Sequence, residues 1–135
     1  MKVKFDLTRV YVAQPYGGNK KAKKLCKKLM RVTEPISSYV LVSPVLALGC
    51  LYDSVERYER GIDLCLGLLQ GCDKLLLLPG WRESRGCMAE YAAARLLGMP
   101  IIECPVDDTN TIMVEELVSR LAFEGDKCTY TKGDE

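Results

Sequence analysis

The chain has 135 residues, of which 48% are hydrophobic and 27% charged, and its formal net charge is +1. This length and balance are typical of one globular domain, and the near-zero charge gives no basis for binding a nucleic-acid polymer or an anionic membrane. There is no histidine, which removes the commonest zinc ligand and the commonest general base. We therefore expect no metal and no cofactor, with any chemistry carried by carboxylates, Cys, Ser, Tyr or Lys.

Seven cysteines occur without a Cys-x-x-Cys pair, and no stretch has the pattern of a secretory segment. An odd number of cysteines argues against a disulfide framework and predicts free thiols in a reducing cytoplasm. The longest apolar stretch, residues 39–52, is interrupted by Ser43, Pro44 and Gly49 and is too short to cross a bilayer. We therefore expect a cytoplasmic protein that does not enter the membrane.

The first predicted strand is residues 9–13, a β-prone run that ends before Pro15 and the Gly17-Gly18 pair. A helical pattern begins at Asn19, with apolar residues spaced three and four apart. Six lysines occupy the opposite face of this helix: Lys20, Lys21, Lys23, Lys24, Lys27 and Lys28. Because a helix with one apolar stripe exposes its other side to water, we interpret the lysines as a solvated surface rather than a binding patch.

The middle of the chain predicts a strand, a helix and a second strand. Residues 39–43 form the first of these, which ends at Pro44. Residues 54–71 are helical and apolar on most sides, so we expect neighbouring elements or another subunit to cover them. Residues 74–78 are a continuous apolar run, which is typical of a central parallel strand covered on both faces.

The last third of the chain predicts a helix over residues 84–97 that ends at Gly98. A strand over residues 100–104 follows, and then a helix whose apolar stripe spans residues 114–122. The polar tail beyond it contains residues 127–132, which predict either a weak edge strand or a frayed end.

This alternation predicts an α/β fold: a doubly wound parallel sheet of four to five strands, flavodoxin- or Rossmann-like, in three α/β/α layers. No linker or repeat interrupts it, so we expect residues 1–135 to form a single domain. In such sheets the ligand crevice lies at the carboxyl ends of the strands, where the strand order reverses. Three predicted loops leave those ends, at residues 14–19, 43–53 and 79–86.

The loop at residues 79–86 has the composition of an anion-binding loop. Gly80 and Gly86 let the backbone approach a ligand, and Ser84 stands at the start of a helix whose free amides favour an anion. A phosphate or a sugar hydroxyl is a suitable ligand for such a loop. The simpler interpretation is that Ser84 is an ordinary N-cap and Gly80 an ordinary turn residue.

Glu90 lies in the second turn of the same predicted helix, among small apolar residues. Helix statistics alone favour an ordinary solvent-facing glutamate at this position. Trp81 either packs in the core or lines a ligand site, since it lies beside glycines in a loop. The residues by themselves therefore indicate an anion or nucleotide pocket and leave its chemistry open.

One longer pattern runs through this loop and helix: Leu77-Leu78-Pro79-Gly80-Trp81-x-x-Ser84-x-Gly86-x-x-x-Glu90-x-x-x-Ala94-x-x-x-Gly98. It resembles the signature of the nucleoside 2-deoxyribosyltransferase-like superfamily, and most closely that of an uncharacterised bacterial and phage branch. The segments at residues 11–18 and 61–64, with Cys72-Asp73, are similar to other parts of that branch. The resemblance covers about residues 9–103 and implies one domain of this type.

In characterised members of the superfamily, the glutamate that matches Glu90 is the nucleophile that attacks C1′ of a deoxyribosyl group and releases the base. The resemblance implies this role for Glu90, binding of the sugar or 5′-phosphate by Ser84, and a sugar-orienting role for Asp63. A carboxylate suits the first role because it can form a covalent glycosyl intermediate. Three carboxylates are candidates for protonating the base: Glu83, Asp53 and Glu56.

The remaining candidate binding residues lie in the first strand, in the loop after it and in the third loop: Tyr11, Gln14, Tyr16, Gly17, Gly80, Trp81, Arg85 and Gly86. Three of them are aromatic candidates to stack on the base: Tyr11, Tyr16 and Trp81. Arg85 favours a phosphate because arginine pairs with it bidentately. Gln14 stands where many relatives have a small residue, and we expect it to narrow the first loop.

The resemblance implies N-glycosidic bond cleavage or base transfer on a nucleoside or nucleoside 5′-phosphate, by a hydrolase or a transferase. The alternative is a non-catalytic nucleotide-binding or sensing module of the same fold. A purely structural or partner-binding domain is a third hypothesis, which only the apolar second helix supports. We expect a small-molecule partner rather than a nucleic-acid polymer, and a homo-oligomer that completes its pocket across subunits.

Overall fold

The computed structural model describes residues 7–15, 20–34, 38–44 and 55–122. Strands and helices alternate along them as β1 (Thr8–Ala13), α1 (Lys20–Thr33), β2 (Tyr39–Val42), α2 (Val55–Gln70), β3 (Lys74–Leu77), α3 (Arg85–Leu97), β4 (Ile101–Glu103) and α4 (Val114–Ala122). A short 3-10 turn, Trp81–Glu83, lies between β3 and α3. The predicted alternation is confirmed, and the element bounds that were predicted within the described residues differ from these by one residue at most.

The described strands form one parallel sheet in the order β2-β1-β3-β4. β1 lies next to β3 in a register that sets Tyr11 beside Leu75 and Ala13 beside Leu77. The chain passes from β1 outwards to β2 and then returns to the other side of β1, so the strand order reverses between β1 and β3. This is the position at which doubly wound sheets form their ligand crevice.

Alternate residues of each strand face opposite layers of the molecule, because strand side chains have a period of two. On one face, β1, β3 and β4 pack against α2 and α3; the buried cluster there includes Tyr11, Ala13, Cys65, Leu69, Leu75, Leu77, Cys87 and Tyr91. On the other face they pack against α1 and α4; the buried cluster there includes Val10, Val12, Leu25, Leu29, Leu76, Ile102, Leu117 and Leu121. The three-layer α/β/α architecture is therefore confirmed.

The central position of β3 is also confirmed, since all four of its residues are buried. One of them is Lys74, whose side chain is 6% exposed. Its Nζ donates a hydrogen bond to the carbonyl oxygen of Leu121, in the last turn of α4. A lysine at this position donates to a carbonyl in the last turn of the helix and interacts favourably with the negative end of the helix dipole. The buried lysine therefore links α4 to the central strand of the sheet.

The six lysines of α1 are all exposed, as predicted for a solvated face. Gly98 ends α3 with a φ of 69°, and its backbone N–H bonds the last carbonyls of the helix, which confirms it as the C-cap. Residues 127–132, most of the predicted loop at 43–53, Tyr16 and Gly17 lie outside the described residues. Of the helices in the described ranges, none combines the length and apolarity that crossing a bilayer requires.

Candidate functional site

The centre of the candidate site is a buried hydrogen bond between Tyr11 on β1 and Glu90 on α3, residues separated by 79 positions in the sequence. The Tyr11 hydroxyl donates to Oε2 of Glu90. The Tyr11 side chain is fully buried and that of Glu90 is 6% exposed. The interpretation of Glu90 as an ordinary solvent-facing glutamate therefore does not hold, because the second turn of α3 faces the sheet at this point.

Burial controls the protonation of both groups. Desolvation raises the pKa of Glu90 from 4.5 to about 7, although the hydrogen bond from Tyr11 acts in the opposite direction. Desolvation also raises the pKa of Tyr11 far above its usual range, and the negative charge of Glu90 adds to the effect. Tyr11 consequently keeps its proton, and the carboxyl group of Glu90 changes charge close to neutral pH.

Two thiols complete the surroundings of this pair. Cys65 on α2 is 3% exposed and Cys87 on α3 is fully buried. Desolvation raises the pKa of Cys87 to about 12, with the negative charge of Glu90 contributing. The Cys87 thiol is therefore neutral and poorly nucleophilic, and Glu90 is the group of the buried pair that titrates near pH 7.

Ser84 is the N-cap of α3, and its Oγ accepts a hydrogen bond from the backbone N–H of Cys87 at 3.2 Å. The expected cap is thus confirmed. Arg85 and Gly86 form the first turn that follows, where free N–H groups and the positive end of the helix dipole favour an anion. The Arg85 side chain is exposed at this end of the helix.

The loop before α3 contacts the end of β1. Gly80 has a φ of 87°, in the left-handed region that favours glycine. A Cβ atom at Gly80 would lie 3.2 Å from Cγ of Pro15. Glycine at this position therefore brings together the two loops that leave the carboxyl ends of β1 and β3.

Trp81 lies in the core beneath this loop and is 5% exposed. Its Nε1 donates to Oε1 of Glu103 at 2.9 Å, and its ring lies 5.0 Å from that of Tyr91 between centroids. The guanidinium group of Arg82 lies 5.0 Å from the Trp81 ring centroid. Glu103 is a site residue that the sequence interpretation missed, although a carboxylate at the carboxyl end of the predicted fourth strand was a usable signal.

Gln14 directly follows β1 and is 4% exposed. Its Oε1 accepts from Oγ of Ser43 at 3.4 Å, and Ser43 in turn accepts from Sγ of Cys26 at 3.4 Å. Among the described residues, Nε2 of Gln14 is buried without a hydrogen-bond partner. The first loop therefore begins with a polar side chain packed between the ends of β1 and β2.

The structure thus brings together many of the predicted site residues at one edge of the sheet. Tyr11 and Trp81 enter the core there, so their rings support the site from beneath. Asp63 lies on the exposed side of α2, and no contact within the described ranges joins it to Glu90. In those same ranges, no group of three or more His, Cys, Asp or Glu side chains is arranged to hold a metal ion.

Comparison with known proteins gives two findings on family and fold. Residues 8–103 match the model of a family described as a Domain of unknown function (DUF4406). The solved structure of 2-deoxyribosyltransferase from the psychrotolerant bacterium Bacillus psychrosaccharolyticus is similar, with a TM-score of 0.53 and 14% identity over 82% of each chain.

At 14% identity this likeness establishes the fold, which is 2-deoxyribosyltransferase-like. None of the proteins with curated functions matches the chain. The family match extends from the first residue of β1 to the last residue of β4 and includes Tyr11, Gly80, Ser84 and Glu90. Since it spans well over half of the sequence, the chain belongs to the family described as a Domain of unknown function, DUF4406.

Proposed function

We propose that the protein cleaves or exchanges the N-glycosidic bond of a nucleoside or nucleoside 5′-phosphate, with Glu90 as the nucleophile. The observation that carries the proposal is the buried carboxyl of Glu90, held by Tyr11 at the reversal point of a 2-deoxyribosyltransferase-like sheet. A solvent-excluded carboxylate with one oxygen fixed by a neutral donor is suited to attack an oxocarbenium-like carbon.

The proposed reaction proceeds in two displacements. An oxygen of ionised Glu90 bonds to C1′ of the sugar while the C1′–N bond breaks, and the base leaves with the bonding electrons and takes up a proton. Water or a second base then attacks C1′, the ester bond to Glu90 breaks, and the carboxylate is restored. The outcome is hydrolysis in the first case and base transfer in the second.

Tyr11 has a defined part in this reaction. Because its hydroxyl donates to Oε2 of Glu90, Oε1 is the oxygen left for attack. Donation also favours the ionised carboxylate against the effect of burial. The carboxylate form of Glu90 increases as the pH rises through about 7, so we expect the rate of base release to increase over the same range.

The start of α3 is the proposed cradle for the other end of the sugar. Ser84, Gly86 and the first-turn amides would hold a hydroxyl or phosphate, and exposed Arg85 would pair with a phosphate. Gly80 holds this loop against the end of β1. Asp63 is proposed to orient the sugar. Because Asp63 lies on the exposed side of α2, away from Glu90, this role requires a second subunit that completes the site on that side.

The direct test is to incubate the purified protein with a panel of nucleosides and nucleoside 5′-phosphates and to measure free base by chromatography. We expect release from at least one member, and a loss of roughly a thousandfold or more in Glu90→Ala, as for removal of other nucleophiles. Glu115→Gln, which changes an exposed glutamate on α4, is the matched control and should leave the rate unchanged.

Two outcomes contradict the proposal. One is the absence of base release from every member of the panel, and the other is an unchanged rate after Glu90→Ala. A retained rate in Glu115→Gln together with a lost rate in Glu90→Ala supports it, provided that both variants melt cooperatively.

A non-catalytic nucleotide-binding or sensing module is the second candidate. The observation that favours it is the exposed position of Asp63, since no described contact brings a second carboxylate to Glu90 to protonate the leaving base. This candidate predicts that a nucleotide raises the melting temperature by mass action while no product forms. Product formation removes it, and so does a melting curve that no nucleotide shifts.

A further inference from the structure

Gln14 presents a buried hydrogen-bond donor that the described part of the chain does not satisfy. Its side chain is 4% exposed, and its Nε2 has no partner there. Folded proteins seldom leave such a group unpaired, because the water lost on burial is not replaced. An unpaired donor directly after β1, at the ligand-binding edge of the sheet, therefore indicates a ligand atom as its partner.

The neighbours of Gln14 determine which end of its amide is free. Sγ of Cys26 donates to Oγ of Ser43, and Oγ of Ser43 donates to Oε1 of Gln14. In this chain of bonds Oε1 of Gln14 accepts from the Ser43 hydroxyl, which places the carbonyl end of the amide at Ser43. The free end is the NH₂ group, which can bind only a hydrogen-bond acceptor.

The position of Gln14 relative to the catalytic pair suggests which part of a ligand it meets. Tyr11 belongs to the buried cluster that faces α2 and α3, whereas Gln14 is linked through Ser43 to Cys26, a member of the cluster on the opposite face of the sheet. Their side chains therefore flank the end of β1 from two sides. A nucleoside lying across that end would meet Glu90 with C1′ of its sugar and Gln14 with its base.

We propose that Gln14 selects the nucleobase by donating a hydrogen bond from Nε2 to an acceptor on the base edge, a carbonyl oxygen or an unprotonated ring nitrogen. This role rests on the proposed function, since it takes a nucleoside as the ligand. Ser43 is the positioning residue, because its hydroxyl holds the amide with the donor end free.

The test compares ligands with and without a base. Calorimetric titration in a Glu90→Gln background, which prevents turnover, uses the four common deoxynucleosides, their 5′-monophosphates and 2-deoxyribose 5-phosphate. Gln14→Met keeps the length of the side chain and removes the donor. We expect Gln14→Met to lower the affinity for the preferred nucleotide by about tenfold, as for one lost hydrogen bond. The affinity for 2-deoxyribose 5-phosphate should stay unchanged.

The melting temperature of the free protein separates recognition from packing. Gln14→Met removes the unpaired donor and also the acceptor of the Ser43 hydroxyl. Because these two effects on stability oppose each other, we expect the ligand-free variant to melt close to the temperature of the parent, while the shift caused by the nucleotide becomes smaller. Ser43→Ala is a second variant and should reduce discrimination among bases by a smaller factor, since the amide is then free to rotate.

An equal loss of affinity for 2-deoxyribose 5-phosphate overturns the base-selecting role, and so do unchanged affinities in Gln14→Met. A lower melting temperature with unchanged affinities assigns Gln14 to packing and also overturns it. If the parent binds none of the nucleosides or nucleotides, the proposed function fails together with this role. If the parent binds nucleotides and Gln14→Met binds them equally well, only the proposed role of Gln14 is refuted, and the proposed function stands.

Discussion

Glu90 links the stability of this protein to its proposed chemistry through one desolvated carboxyl group. The proposed nucleophile is the ionised form of Glu90, and the ionised form is also the one that burial opposes. The hydrogen bond from Tyr11 offsets part of this cost without removing it, since the pKa stays raised. The contribution of Glu90 to the stability of the folded protein is therefore lowest at the pH at which the proposed reaction is expected to be fastest.

We expect Glu90→Gln to remove a pH-dependent loss of stability. The carboxyl ionises near pH 4.5 in the unfolded chain and near pH 7 in the folded protein, so the folded state binds the extra proton in between. The free energy of unfolding consequently falls as the pH rises from about 4.5 to about 7, by about 3 kcal/mol, and stays lower above that range. The glutamine variant has no such proton to lose.

Urea denaturation of both proteins between pH 4.5 and pH 8 measures this effect. The free energy of unfolding of Glu90→Gln, relative to that of the parent, should increase across this interval and level off above pH 7. The other titrating groups are the same in both proteins, so their effects cancel in this difference. A difference between the two proteins that is constant from pH 4.5 to pH 8 would show that the pKa of Glu90 is not raised in the folded state.

At the scale of elements, the loop between β3 and α3 depends on Gly80. Its φ of 87° is costly for residues with a Cβ atom, and a Cβ there would press on Pro15 at 3.2 Å. This loop carries Trp81 into the core and ends at Ser84, the N-cap of α3. A side chain at Gly80 should therefore lower the stability of the protein and also displace the proposed cradle.

We expect Gly80→Ala to lower the free energy of unfolding by about 1–2 kcal/mol, the usual cost of the left-handed conformation for a residue with a Cβ atom. Gly67→Ala is the matched control, since Gly67 lies within α2 and a Cβ there has open space. It should stabilise the protein by about 0.5–1 kcal/mol, because alanine has the better helix propensity. Urea denaturation measures both, and equal effects of the two changes would contradict the assignment of strain to Gly80.

The strands and helices could be predicted because each one has a local signal. The apolar run of β3, the stripe of α1 and the Ser84 and Gly98 caps of α3 all appear in short windows of sequence. The strand order has no such signal, since the residues that pair between β1 and β3, such as Val10 and Lys74, are far apart in the sequence. Prediction from sequence therefore succeeded for the elements and depended on resemblance for the site.

The contacts inside the site show the same division. Tyr11 and Trp81 are candidates to stack on a base, with a core position as the alternative for Trp81, and both are buried in the core. The bond of Tyr11 to Glu90 and that of Trp81 to Glu103 join elements that only the folded sheet brings together. Residue type alone could not distinguish a ring that binds a ligand from a ring that holds another side chain.

At the scale of the whole molecule, one face of α3 is apolar and exposed. Met88, Ala92 and Leu96 recur every four residues along it, and Leu96 is 90% exposed. On the neighbouring helix α2, Leu68 is 39% exposed. An apolar surface of this kind is typical of a protein–protein interface, and the proposed homo-oligomer is the partner that the resemblance implies.

We expect Leu96→Lys to reduce the oligomeric state. Burying a lysine charge in an apolar interface has a large free-energy cost, whereas the same charge on the exposed surface of a monomer has almost none. Sedimentation velocity over a range of concentrations measures the change. Val114→Lys, on α4, is the control and should sediment as the parent does, since Val114 is also partly exposed but lies on the opposite layer. A parent protein that is monomeric at every concentration contradicts this prediction.

The order of the strands also determines when the site can form during synthesis. β1 and β2 can pair early, but β1 lacks its second neighbour until Lys74–Leu77 has left the ribosome, and Tyr11 lacks its acceptor until Glu90 has followed. Until then β1, whose last four residues are buried in the folded protein, has an open edge, which is the condition under which nascent chains associate with one another. Of the four described strands, β1 is therefore separated from one of its strand neighbours by the longest stretch of translation.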